Sequence, residues 1–346
     1  MVPVVARLAG ILFVVTDSSR KVTNSGAVER LQAWVREDFG VQLSSIYRVV
    51  HGADAAAEVW RGIAVDGSQY AVKWSGGGTD AGPLVTAHLA ATGVPGILGP
   101  TKTRSGQLWS EREGRRLSLV PWISADRALD GGMTAQRWTS YGALLAKVHA
   151  TEPAPALGAA LLRDDYSNEG MAALTRSIDR RLRTARPADA LEEELATTWK
   201  ANYEVITGLL ELSDELGRKL AAEDAPVVIC HADPHLGNVL VGPADGVWLI
   251  DWDDAALAPR EQDLMFVLGG MGEFGPQTAQ ERAWFFDGYG ETQVDPTRLT
   301  YYRCARALEE VALWSEQVLQ GPGREESLDF LRGVLSPAGL AVLALS

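Results

Sequence analysis

The residues whose types and spacing could do chemistry crowd into one stretch, VVICHADPHLGNVLVGPADGVWLIDWDDAALAPREQDLMF, positions 227 to 266. Phosphoryl transfer passes through a loose transition state, so a protein mainly positions the reactants and neutralises phosphate charge. That takes a carboxylate to orient an acceptor hydroxyl and accept its proton. It also takes two oxygen ligands for Mg2+, a hard cation that prefers carboxylate and amide oxygens, and a lysine on the phosphates. Asp233, Asn238 and Asp251 could supply the first three. Asn238 and Asp251 lie thirteen positions apart, but a strand, a turn and a strand over 238–250 would fold one back beside the other. The turn is written in Gly242-Pro243-Ala244-Asp245-Gly246. Lys73, in AVKW, follows a hairpin signal on a β-type run and could reach the phosphates. His231, Asp233 and His235 could instead form a metal-hydrolase cluster. With five histidines in the chain and no second His/Asp pair at ligand spacing, that alternative is disfavoured.

These groups need a frame. Val28, Leu31, Trp34 and Val35 recur at helical spacing and predict a helix over 27–39, stopped by Gly40. β-Branched runs predict strands at 46–50, 58–65 and 69–74, the last two joined through Asp66-Gly67. A helix over 81–92 and a buried strand over 118–123 complete a β-rich N-lobe, residues 26–123. Residues 124–346 read as a mainly helical C-lobe. Helices are expected at 135–150, at 188–222 with a break near 212–214, at 279–289 and at 297–319. Short strands at 227–230, 238–241 and 247–250 interrupt them. Residues 1–25 read as an extension, disordered or loosely docked; their apolar run is broken by Arg7 and too short to span a bilayer. The fold class expected is α+β.

Composition narrows the partners. The chain has 346 residues, with 32 Lys and Arg against 45 Asp and Glu, a net charge of −13. Nucleic acid and anionic membranes require a basic face, so neither is expected. Cys230 and Cys304 form no CxxC pattern, which fits a reducing cytoplasm. Nothing separates a monomer from a homodimer.

HADPHLGNVLV followed by VWLIDWDDA resembles the catalytic segment of the aminoglycoside-phosphotransferase family, relatives of protein kinases that include choline and other metabolite kinases. The run from 81 to 124 looks nearest to its spectinomycin-phosphotransferase-like branch. The resemblance implies a protein-kinase-like two-lobe fold, with Asp233 as catalytic base, Asn238 and Asp251 as Mg2+ ligands and Lys73 on the phosphates. It makes His231 a brace of the loop, Asp263 a buried carboxylate bonded to it, and Asp253 an auxiliary metal or substrate contact. His235 reads as a structural hydrogen-bonding residue. Gly52, Ala53 and Asp54 occupy the place of the loop that covers the phosphates, and backbone at Val120, Trp122 and Ile123 the place of the purine contact. Glu309 and Glu310, with Glu316, would line a pocket for a cationic amine. One departure stands out: no glutamate follows Lys73 on the helix that carries one in protein kinases, leaving Asp80, His88 or Asp251 to restrain it. The implied activity is transfer from ATP or GTP to a hydroxyl of a cationic aminoglycoside or aminocyclitol, giving antibiotic resistance. The alternatives are a metabolic kinase for a sugar, amino sugar, choline-like or amino-acid alcohol, and a catalytically weak nucleotide-binding protein.

Overall fold

A computed structural model describes residues 25–49, 57–77, 79–268 and 271–346. The expected extension, apart from Ser25, lies outside the described residues, as do Gly52, Ala53 and Asp54. In chain order the elements are α1 (Ser25–Phe39), β1 (Leu43–Val49), β2 (Ala57–Ala64), β3 (Gln69–Ser75), α2 (Ala81–Ala91), β4 (Ser110–Arg112), β5 (Arg115–Pro121), α3 (Ala135–His149) and α4 (Pro155–Ala160). They continue with β6 (Leu162–Arg163), α5 (Glu169–Thr184), α6 (Ala190–Ala201), α7 (Tyr203–Leu220), β7 (Val228–Cys230), β8 (Val239–Val241), β9 (Val247–Leu249) and β10 (Ala256–Ala258). The last are α8 (Glu261–Leu264), α9 (Ala279–Tyr289), α10 (Pro296–Gln320), α11 (Arg324–Val334) and α12 (Leu340–Ala344). Among the described residues, short 3-10 turns also lie between them.

Packing divides the chain into two units. The first runs through residue 162 and takes in 228–257 and 283–290; the second comprises 163–227, 258–282 and 291–346. β7, β8 and β9 therefore fall in the same unit as the N-terminal sheet.

In the first unit the sheet is antiparallel in the order β1-β2-β3-β5-β4. Asp66-Gly67 makes the expected tight hairpin, with Gly67 N–H donating to Ala64 O. Alternation along the strands sends Trp60, Val72, Leu117 and Leu119 to one face, where Leu31, Val35 and Phe39 of α1 cover them. Sequence periodicity thus fixes which face of β3 is core, and Lys73, next to buried Val72, falls on the other. Farther along, α3 starts at Thr134, whose side chain accepts from Arg137 N–H. It packs against β7 and β9 and closes on the last turns of α9. Gly142 and Gly288 let two backbones meet there, since a Cβ on either would overlap a carbonyl of the facing helix.

The second unit is built on α10, which packs against α5, α6, α7, α11 and α12. Asp295 caps it by accepting from Thr297 and Arg298 N–H, and Pro296 occupies its first position. The helical tract expected over 188–222 does break, but at Asn202 between α6 and α7, not near 212–214. Asn202 closes α6, donating its side-chain amide to Thr198 O, and α7 begins at the next residue. At the expected break Ser213 stays inside α7 by bonding its own helix at Leu210 O.

Candidate active site

β7 ends at Cys230, and the chain then turns through His231, Ala232 and Asp233. Ala232 has φ +71°, a left-handed conformation that costs a non-glycine residue of order 1–3 kcal/mol. Bonds on both sides hold it. Asp233 N–H donates to His231 Nδ1 at 3.2 Å, so the His231 proton sits on Nε2 and is given to Ile250 O at 2.8 Å. The fully buried His231 ring also meets Trp252 edge-on, with centroids 4.5 Å apart. From α3, Tyr141 donates its hydroxyl to Pro234 O. These bonds let His231 brace the loop.

The same logic fixes His235. Gly237 N–H donates to its Nδ1 at 2.9 Å, which leaves the proton on Nε2, 3.4 Å from Asp233 Oδ2. Asn238 Nδ2 donates to Asp233 O at 2.9 Å and lies 3.3 Å from Asp233 Oδ2. The Asp233 carboxylate, 3% exposed, is aimed by the Asn238 side-chain amide from its own loop.

The hairpin of β8 and β9 pairs Val239 with Leu249, Leu240 with Trp248 and Val241 with Val247. Its tip turns at Ala244 and Asp245, φ +51° and +55°, positive at both as a tight antiparallel turn requires. Ile250 N–H donates to Asn238 O at 2.9 Å, so Asp251 is the residue just beyond the partner of Asn238. Asp251 itself has φ +64°. Asp233, Asn238 and Asp251 are thereby brought to one place.

Lys73 reaches them from β3. Its Nζ lies 3.2 Å from Asp251 Oδ1 and 2.7 Å from Asp253 Oδ2. Burial draws the ammonium pKa down, but the two carboxylates outweigh burial and hold it above the ordinary lysine value. Lys73 in turn holds the Asp251 carboxyl below the ordinary aspartate value, against the effect of burial. Of the three restraints that sequence left open, Asp251 bonds Lys73. Asp80 instead pairs with Arg116 at 3.1 Å, and His88 donates to Glu152 O at 2.9 Å. Asp253 is the partner that sequence reasoning did not assign to Lys73. No local signal marks it, because the two residues are 180 positions apart.

At the end of β5, Trp122 N–H donates to Gln69 O at 2.9 Å. Because bonded pairs alternate along an antiparallel ladder, Val120 also spends its backbone groups on β3, opposite Ala71. The opposite edge is presented by Pro121 C=O and Ile123 N–H. Arg61 stacks over the Trp122 ring at 5.3 Å. Of the positions named for a purine contact, Ile123 lies on that opposite edge, and Pro121 shares it.

In the second unit Asp263 is fully buried on α8. Glu310, on α10, is 5% exposed; its Oε1 lies 2.7 Å from Arg306 and its Oε2 accepts from Trp314 Nε1 at 2.7 Å. Glu309 is more open and stands 3.6 Å from Arg306. Glu316 accepts from Gln320 at 3.2 Å.

A family model described as the phosphotransferase enzyme family matches residues 85–308, well over half of the chain. The chain belongs to that family. It is a small-molecule phosphotransferase with the kinase-like α+β fold, an antiparallel N-terminal sheet followed by mainly helical structure. A spectinomycin phosphotransferase in complex with ADP and spectinomycin is similar over 92% of this chain and 97% of its own, at 27% identity and a TM-score of 0.83. Its AMP-bound complex matches over the same 92%, with a TM-score of 0.81. A choline kinase from Streptococcus pneumoniae shares the fold at 14% identity and a TM-score of 0.58, over 92% of this chain and 99% of its own. No curated protein matches the sequence significantly. Among the described residues no helix is long and apolar enough to cross a membrane.

Proposed function

We propose that this phosphotransferase moves the γ-phosphate of ATP or GTP to a hydroxyl of a small cationic aminocyclitol or aminoglycoside, in the manner of a spectinomycin kinase, and so inactivates an antibiotic in the cytoplasm. The observation that carries the reading is the aimed Asp233 carboxylate in a chain that follows a spectinomycin phosphotransferase over 92% of its length. The solved complexes of that protein hold ADP, AMP and spectinomycin, which supports a nucleotide and an amine-bearing acceptor here.

Asp233 accepts the proton of the acceptor hydroxyl as its oxygen attacks. The Asn238 side-chain amide keeps the carboxylate oriented, so the encounter needs no search by the side chain. Lys73 lies on the phosphates. Pro121 C=O and Ile123 N–H take the purine edge. The donor set fits Mg2+: Asp251 offers a carboxylate, and Asn238, whose Nδ2 is turned to Asp233, has its amide oxygen left to give. When bound, the ion screens the negative charge of the phosphates. For the acceptor amines Glu309 is the more open of the two α10 acids expected to face substrate.

A screen with γ-labelled ATP and GTP against spectinomycin, other aminocyclitols and aminoglycosides, and choline tests the reading. Label transfer to spectinomycin or a related amine, lost in Asp233→Asn by about 10²- to 10⁴-fold with nucleotide affinity kept, is the expected result. Transfer to choline or a simple sugar alone would move the assignment to a metabolic kinase. No transfer to any acceptor would remove the reading.

A further inference from the structure

α2, AGPLVTAHLAA, contains no acidic residue, so the lysine-holding glutamate of protein kinases has no counterpart there. Building on the nucleotide-dependent reading above, we propose that Asp253 fills that role, as the positioning carboxylate that keeps Lys73 on the nucleotide phosphates while Asp251 serves the cation.

Asp251 cannot do both. Its oxygens are the ones a divalent ion would claim, and an ion there competes with the ammonium for the same charge. Asp253 makes the shorter of the two contacts with Lys73, 2.7 Å against 3.2 Å. Its carboxylate is also divided in a useful way: Oδ2 faces Lys73, while Oδ1 faces Arg116 NH2 at 3.6 Å. Arg116 is itself immobilised, donating to Thr79 O at 2.6 Å and pairing with Asp80. Thr79 then ties back to the same residue, its hydroxyl donating to Asp253 O at 2.8 Å.

α2 is shaped around this carboxylate. Gly82 sits in its first turn, where alanine would favour the helix by about 1 kcal/mol. A Cβ there would stand 2.7 Å from Asp253 Oδ1 and 3.3 Å from the Trp252 carbonyl carbon. The helix forgoes propensity at the position that touches Asp253. So α2 still supports the lysine's partner, as in a kinase, but by leaving room for a carboxylate that arrives on another segment.

The test is Asp253→Asn, alone and in a Lys73→Met background, with Gly82→Ala as a second variant that displaces the carboxylate without removing its charge. Removing one charge-assisted bond should lower kcat/KM for ATP by about 10- to 100-fold. It should weaken calorimetric binding of ADP in the presence of Mg2+, and Gly82→Ala should act in the same direction. KM for the acceptor and the Mg2+ concentration at half-maximal rate should not move. In the Lys73→Met background the second substitution should add less than about twofold, because a residue that acts through Lys73 has nothing left to hold. Full additivity there, or a shifted Mg2+ or acceptor dependence, would overturn the proposal in favour of a direct metal or substrate contact. If the wild type binds Mg2+-ADP and Asp253→Asn binds it equally well, this inference fails while the nucleotide reading stands. If the wild type binds no nucleotide, both fall.

Discussion

Glu310 offers a way to tell a substrate contact from a buried support. Its carboxylate and the Arg306 guanidinium have side-chain exposures of 7% and 8%, and they meet at 2.7 Å, with Trp314 Nε1 donating to the other oxygen at 2.7 Å. Glu310→Ala removes the charge closest to a buried guanidinium and the acceptor of a buried indole N–H. Breaking such a pair on one side costs about 3–5 kcal/mol. Glu309 remains 3.6 Å from Arg306 and offers partial compensation, so the lower end, about 3 kcal/mol, is expected. At roughly 2–4 °C per kcal/mol that is a fall in Tm of about 6–12 °C. Glu310→Gln keeps the volume and an acceptor for Trp314, and should lose about half as much. The pair Arg306→Met with Glu310→Leu, which leaves no charge to bury, should recover most of the stability. Calorimetric melting supplies the first readout and KM for the acceptor found in the transfer screen the second. The support role predicts a lower Tm with KM unchanged in Glu310→Gln. A KM raised tenfold or more with Tm within about 1 °C of wild type would refute it and put the carboxylate on the acceptor.

Other expectations follow from the same contacts. Asp251→Ala should abolish the Mg2+-dependent part of nucleotide affinity and spare the metal-free part, because Asp253 still holds Lys73; calorimetry with and without Mg2+ checks this, and unchanged Mg2+ dependence contradicts the metal assignment. The bidentate bond from Arg112 holds the Asp38 carboxyl below its ordinary value of 3.8, outweighing burial, with Ser110 adding a bond. A carboxyl with a lowered folded pKa contributes stability in full above its unfolded value and loses it as pH falls through the folded one. Asp38→Asn should therefore flatten the decline of stability below about pH 4, and an unchanged acid limb in urea titrations would count against the pair. Gly288→Ala puts a Cβ onto Thr139 O and should cost at least about 1–3 kcal/mol in denaturant unfolding; a neutral result would deny the close crossing of α3 and α9.

The sequence alone determined the parts of this protein that depend on short-range geometry. The five-residue step from Asp233 to Asn238, the turn at 242–246 and the alternation of β3 are set by bonded distances and a side-chain period of two. They announce the paired carboxylate and amide and place Lys73 on the face opposite Val72 without any knowledge of long-range packing. Periodicity likewise finds α1, α3 and α10. It is weaker where one residue decides a boundary: Asn202, whose amide reaches back to Thr198, ends α6, and Ser213 passes unnoticed through α7.

Tertiary structure decided what each polar group is for. Asp253 reads in sequence as an auxiliary metal or substrate contact, and only the folded chain sets it 2.7 Å from an ammonium 180 positions away. Glu310 reads as a helix acid that could greet a cation, and only packing shows its oxygens turned to Arg306 and Trp314. The pairing of β5 with β3 turns the backbone of Val120 and Trp122 to β3 and that of Pro121 and Ile123 to the other edge. The physical reason is common to all three. A charge has no fixed role until its partner and its distance from water are set, and both are properties of the folded whole.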